Sequence, residues 1–307
     1  MIETSATLLY VGFSNHVGIP SAIRQTFLYR SFNDRREKFN PFVLMFGTKE
    51  RSIMKPVCLV IGAGAGIGGT VARRFAKEGY HACLCRRTDQ DGLEGMVAEI
   101  EAEGGSASGF LLNAVDEGAI EDRIAAIESD VGGIEVAVYN LGAQIGDRTL
   151  SETSYKAFEM GWRMGTFGLF RLASAVSPHM EARGKGVLLV TSATAAMRGN
   201  AGQHSHAAAM GGRRMLCQTL NAELSSKGIH VAHIIIDGAV DAPDTLGKML
   251  GPERFQQLRE TRGMEHDGLI LPTEIADTYL HLAQQHRSAW THEIDMRAFS
   301  DRPWWNH

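Results

Sequence analysis

From residue 55 onward, short apolar runs alternate with helical patterns, and this alternation narrows the possible architectures more than any other feature of the chain. Residues 56–61, 80–85, 134–139, 187–191 and 229–236 read as strands, with a less apolar candidate at 107–112. The runs are close to continuously apolar, as parallel strands covered on both faces must be. Between them, helical patterns lie near 66–78, 117–129, 154–182 and 203–226. The pattern predicts an α/β fold: a single doubly wound parallel sheet, a Rossmann fold, flanked by helices.

Composition excludes several other classes. At 44% hydrophobic and 21% charged, the chain is neither collagen-like nor intrinsically disordered. No run of about 18 apolar residues occurs, so no membrane-spanning helix is expected. A net charge of −4 has the wrong sign for a nucleic-acid binder. Cys58, Cys83, Cys85 and Cys217 include no CxxC pair, so neither a disulfide framework nor a zinc site is expected. Cys83 and Cys85 share one strand face and read as core. A reducing, cytoplasmic setting fits this cysteine usage.

Residues 1–53 differ from the rest. They carry seven basic residues, including Arg24, Arg30, Arg35 and Arg36, against Glu3, Asp34, Glu37 and Glu50. The acidic surplus therefore belongs to residues 54–307. Periodicity is absent from this first segment. Glu3 stands where a secretory signal needs a basic region, and the acidic residues count against a mitochondrial transit peptide. The segment reads as a disordered tail, or as an upstream extension of the reading frame with Met54 as the start. Residues 54–307 are expected to form the Rossmann domain.

The first strand runs into Gly62-Ala63-Gly64-Ala65-Gly66-Ile67-Gly68-Gly69 and then a helix. In that context the glycines carry a mechanism. One takes a tight turn, one admits a pyrophosphate to backbone N–H groups, and one allows close helix–strand packing. The helix N-terminus attracts the phosphates. The second strand ends in Cys85-Arg86-Arg87, where an NAD site would carry an acid for the ribose 2′-hydroxyl. Two guanidiniums suit a 2′-phosphate, so NADP(H) is expected over NAD(H). The alternative is a pair of solvated surface arginines.

These residues resemble the short-chain dehydrogenase/reductase family, and the resemblance covers essentially all of 55–300. Gly62, Gly66, Ile67 and Gly68 match its TGxxxGIG loop, with Ile61 in place of Thr. Asn113-Ala114 stands where the family has Asp-Val, and Tyr139-Asn140-Leu141-Gly142 stands where it has NNAG. Asp237-Gly238-Ala239-Val240 replaces its PG turn after the sixth strand. The resemblance implies that Gly62, Gly64, Gly66, Ile67 and Gly68 hold a pyrophosphate. It also implies that Asn113, Ala114 and Asn140 flank adenine and its ribose, and that the Val240 backbone meets the carboxamide. A small-molecule substrate and a homodimer or homotetramer built through the two long helices are implied in the same way.

The family reduces carbonyls with an Asn-Ser-Tyr-Lys set, and here the chain departs from it. Ser192 fits the Ser position. His206 stands at the Tyr position, Met210 at the Lys position and Gly165 at the Asn position. Met210 has neither the charge to lower a tyrosine pKa nor a strong donor. A histidine titrates near neutrality without such help. His206 is therefore expected to act as acid/base, with Ser192 bonding the substrate oxygen of a small apolar or aromatic carbonyl or alcohol. The alternatives are a non-catalytic NADP(H) binder, or a lyase or dehydratase on the same fold. His204 and His206, two apart on a helix, are not expected to form a metal pair. Asp241 and Asp244 read as loop caps, Arg213-Arg214 as a solvated helix face, and Trp290, Trp304 and Trp305 as cover for a neighbouring subunit.

Overall fold

The computed structural model describes residues 55–142 and 148–306, so the expectation for residues 1–53 lies outside the described residues. The first half runs β1 (Val57–Ile61), α1 (Ile67–Lys77), β2 (His81–Arg86), α2 (Gln90–Ala102), β3 (Ser106–Leu111), α3 (Ala119–Asp130) and β4 (Ile134–Tyr139). The second half runs α4 (Tyr155–Trp162), α5 (Gly168–Arg183), β5 (Gly186–Ala193), α6 (His204–Leu224) and β6 (Ile229–Ile236). It ends with α7 (Lys248–Leu250), α8 (Pro252–Arg262), α9 (Pro272–Gln284) and β7 (Glu293–Met296). The strands form one parallel sheet in the order β3-β2-β1-β4-β5-β6-β7, the doubly wound architecture expected.

The unbroken apolar character of the strands follows from cover on both faces. In β1, Cys58 and Val60 join one core with Phe75 of α1 and Tyr279 of α9. Val57, Leu59 and Ile61 join the other, with Ile120, Ile124 and Ile127 of α3 and Leu172 of α5. Alternate residues point to opposite faces, so a strand buried on both sides has no polar phase. Each fully buried side chain of this size contributes about 1.5–3 kcal/mol. All four cysteines are free and buried in these cores. No described helix is long and apolar enough to cross a membrane.

The sequence patterns miss or blur several helices. α2, α8 and α9 are absent from the expectation. α8 buries Phe255 alone, so it offers no apolar stripe to read. The helix expected over 154–182 is two helices, α4 and α5, joined by a π-turn at Arg163–Phe167. Pro178 is accommodated inside α5.

β6 carries a buried histidine that couples the fold to pH. His233 is 0% exposed, and its Nδ1 lies 3.0 Å from Glu293 Oε2, which Arg214 holds from the other side. Burial outweighs the carboxylate and pushes the His233 pKa down to about 4. The unfolded chain protonates this residue near pH 6.5, so it binds more protons than the native state as pH falls from about 6.5 to about 4. Stability is therefore expected to drop across that window, and His233→Asn to reduce the slope by up to one proton. Urea denaturation at stepped pH measures it; an unchanged slope would show that His233 protonates freely in the native state.

Candidate active site

β1 and β4 are neighbours, yet the chain leaves them for opposite sides of the sheet, which opens a crevice beyond their carboxyl ends. A cleft of about 400 Å³ lies there. The glycine loop forms one wall. Gly62 turns at φ +99°, a conformation that L side chains rarely adopt, and a Cβ there would lie 2.9 Å from the Asn140 carbonyl. Asn140 Nδ2 donates to Gly62 O at 2.9 Å, tying the ends of β1 and β4 together. A Cβ on Gly68 would come within 2.2 Å of Gly62 O, so only glycine lets α1 begin this close to the strand. A Cβ on Gly64 would meet nothing within 4 Å, leaving that part of the loop open. α1 has no side-chain cap and no acid in its first turn. Its first donors and the positive end of its dipole thus suit an anion.

Most of the predicted cofactor residues line this one cleft: Gly62, Gly64, Gly66, Ile67, Gly68, Arg86, Arg87, Asn113, Ala114 and Asn140. Arg86 also pairs with Asp89 at 2.9 Å, whereas Arg87 is exposed at the cleft. Asn113 is held by Asp116 at 2.8 Å, and the Ala114 carbonyl accepts from Arg171. Val240 is not among the lining residues. Its backbone bridges Ile270, and its carbonyl accepts from Ala242. The segment just beyond it does reach the cleft, through Asp244, Thr245 and Lys248. Thr88 and Met164 also line it. Thr88, Met164, Thr245 and Lys248 lie in turns and short helical segments that carry no periodicity to mark them.

Ser192 and His206 are not among the residues that line this cleft. Ser192 is buried near the end of β5, with its hydroxyl 3.9 Å from Met210 Sδ. His206 is half-buried on the first turn of α6, and its Nδ1 is shut from solvent without a partner among the described residues. Burial, reinforced by the charge of Arg213, holds its pKa below the ordinary histidine value. Gly165 sits buried in the π-turn. Among the described residues no cluster of His, Cys, Asp and Glu could hold a metal ion.

Arg213 corrects an expectation. Instead of a solvated face it is 1% exposed, the largest fully buried side chain among the described residues. Its Nε donates to Gly165 O at 2.7 Å, Nη2 to Leu141 O at 2.7 Å and Nη1 to Thr191 O. Arg214 is likewise engaged, in a two-pronged pair with Glu293. Residues 206, 210 and 213 fall on one stripe of α6. The loop acids are used within the chain. Asp237 binds Arg297 and the Trp304 amide, Asp241 binds Arg259, and Asp244 faces Lys248 and the Ala65 amide. Trp290 stacks on His230 and the Trp304 indole donates to Asp295, so both tryptophans have partners inside the chain.

Comparison with known proteins agrees with this geometry. A family model described as short chain dehydrogenase matches residues 56–246. Short-chain reductase protein NovJ of Streptomyces niveus is 34% identical over 231 residues, covering 74% of this chain and 87% of the relative. A 3-oxoacyl-[acyl-carrier-protein] reductase, FabG, of Thermotoga maritima is 26% identical over 238 residues, covering 78% of this chain and 94% of the relative. The crystal structure of a short-chain dehydrogenase from Rhodopseudomonas palustris matches with a TM-score of 0.66 at 32% identity. It covers 80% of this chain and 99% of that one.

The packing of Gly68 yields a test. Gly68→Ala should force α1 away from the loop and cost about 1–3 kcal/mol, as overpacking does. Thermal unfolding reads this directly, and a variant as stable as the parent would mean the loop relaxes freely.

Proposed function

The chain belongs to the short-chain dehydrogenase/reductase family, and from that premise we propose that it is an NADP(H)-dependent oxidoreductase with His206 as its acid/base. The substrate would be the carbonyl or alcohol group of a small apolar or aromatic compound. The observation that carries this proposal is the single cleft that gathers the glycine loop, Arg86, Arg87, Asn113, Ala114 and Asn140 at the carboxyl edge of the sheet. The open wall at Gly64 and the uncapped start of α1 suit a pyrophosphate. When bound, the nicotinamide would donate or accept the hydride.

The remaining chemistry falls to side chains. Arg86 is partly committed to Asp89, so Arg87, with Thr88 beside it, is the freer partner for a 2′-phosphate. Ser192 would donate a hydrogen bond to the substrate oxygen. His206 would pass a proton to that oxygen in reduction and take it back in oxidation. With its pKa held below the usual value by burial and by the Arg213 charge, the neutral ring of His206 is favoured. Reduction, which needs the imidazolium, gains as pH falls through the His206 pKa; oxidation, which needs the neutral ring, gains as pH rises through it. The printed names of NovJ and FabG, a reductase in each case, support carbonyl reduction as the direction.

Trp162, Phe167 and Phe170 form an exposed, stacked aromatic row along α4, the π-turn and α5. Such a patch favours an association surface, and we assign it to a homodimer or homotetramer contact. The buried free cysteines fit the cytoplasmic setting expected from the sequence.

Arg87→Ala should weaken NADPH binding by at least about tenfold and NADH binding far less, the cost of one charge-assisted contact. Titration of cofactor fluorescence measures both, and equal losses would remove the NADP(H) preference. NADPH consumption against a ketone and quinone panel tests the activity. His206→Phe should abolish it while leaving cofactor affinity unchanged. Full activity in that variant would exclude His206 as the acid, and cofactor binding with no turnover across the panel would favour a non-catalytic binder.

A further inference from the structure

The charged residues lining the cleft are Arg86, Arg87, Lys248 and a single acid among the described residues, Asp244. Where that acid sits is informative. Its Oδ2 accepts from the Ala65 amide at 3.4 Å, across 179 positions of sequence, and its Oδ1 pairs with Lys248 Nζ at 3.2 Å. One carboxylate thus faces the glycine loop and a lysine together. Ala65 lies just before α1, whose start has no side-chain cap and no acid in its first turn. Unpaired N–H donors and the positive end of a helix dipole attract an anion there. In this chain the segment after β6 brings a carboxylate to that loop.

The segment is laid directly on the loop. A Cβ on Gly66 would lie 2.9 Å from Ala242 Cβ and 3.9 Å from Thr245 Oγ1. It is anchored on either side of Asp244. Val240 bridges Ile270, Asp241 pairs with Arg259 at 2.7 Å, and Gly247 packs on Phe255. Between these anchors the π-turn at Pro243–Gly247 carries Asp244, and Lys248 opens α7. The Ala65 contact is a long hydrogen bond, and the lysine is 67% exposed. Contacts of that kind are weak enough for a competing anion to replace.

We propose that Lys248 is the cation that holds the cofactor's pyrophosphate, and that Asp244 is that phosphate's stand-in within the chain. The inference rests on the reading of the cleft as a dinucleotide site. Carboxylate and phosphate oxygens are both acceptors for the same N–H, and like charges that close repel one another. A pyrophosphate therefore competes with the Asp244 carboxylate for the glycine loop. Lys248 loses one anion and gains another, so the exchange leaves no lysine without a counter-charge. The two residues then act on affinity in opposite directions, the acid lowering it and the lysine raising it.

Isothermal titration of the full-length protein with NADPH, NADH and inorganic pyrophosphate tests this. Asp244→Asn should tighten binding of each by about three- to tenfold, the size of one partly screened ionic contact. Asp244→Glu, which keeps the charge, should not tighten it. Lys248→Met should weaken binding of each by a similar factor. Both side chains reach solvent, so neither substitution opens a core. Binding that is unchanged or weaker in Asp244→Asn, or unchanged or tighter in Lys248→Met, overturns the proposal. An effect on NADPH alone also overturns it, because it would set the pair against the 2′-phosphate. Pyrophosphate binding that responds in this way, in a protein that takes neither dinucleotide, refutes the cofactor reading alone. Dinucleotide binding that ignores both substitutions refutes this inference alone, and binding of none of the three refutes both.

Discussion

The meeting of β1 and β4 is the constraint on which the site depends. At their carboxyl ends the chain departs in opposite directions, and beyond the last paired residues, Ile61 and Tyr139, the Asn140 backbone N–H still donates to Ile61 O at 2.8 Å. The Asn140 amide bridges the gap to Gly62 O. The positive φ of Gly62 and the missing side chain of Gly68 let the loop and α1 close over that bridge without clash. Every other feature of the cleft uses this geometry. The direction of α1 brings its uncapped N-terminus to the crevice, the end of β2 brings Arg86 and Arg87 to the rim, and the start of the turn after β3 brings Asn113 and Ala114.

Charge is distributed unevenly about this junction. On the open side, Arg86, Arg87 and Lys248 face the cleft, and Asp244 is the acid in its wall. Asp244 pairs with Lys248 and lies 3.4 Å from the Ala65 amide, where the glycine loop presents its backbone. On the inner side, the charge of Arg213 is met by carbonyl dipoles rather than by a carboxylate.

The sequence made the sheet legible because strands covered on both faces leave unbroken apolar runs. The limits expected for the strands at 134–139 and 229–236 coincide with β4 and β6, and the others differ by only a few residues. The glycine loop was legible because each glycine answers a separate steric demand. Arg213 was not, because a charged residue on a helix is usually solvated and the sequence does not display the carbonyls that would compensate it. The π-turn was hidden too, since a five-residue change of helical pitch leaves no mark on apolar periodicity. Asp244, Thr245 and Lys248 come from a short π-turn and the helix α7, whose position follows from packing rather than pattern.

The residues that the resemblance sets at the family's tyrosine and lysine positions, His206 and Met210, bear on whether the proposed site is a remnant. A remnant at the centre of a fold relaxes toward apolar packing, because an unpaired buried polar atom costs about 1–3 kcal/mol. Met210 alone meets that expectation, sitting 2% exposed against Ala195 and Ala209. Its neighbours do not. Ser192 keeps a buried hydroxyl whose contact is a thioether sulfur at 3.9 Å, a weak acceptor. His206 keeps an Nδ1 shut from water without a partner among the described residues. Arg213 keeps a full charge, met by three backbone carbonyls. Two polar groups held against the gradient of burial, the Ser192 hydroxyl and His206 Nδ1, support the proposed reading in which a ligand satisfies them. The local cost is the kind that a working site carries and that the two surrounding cores can offset.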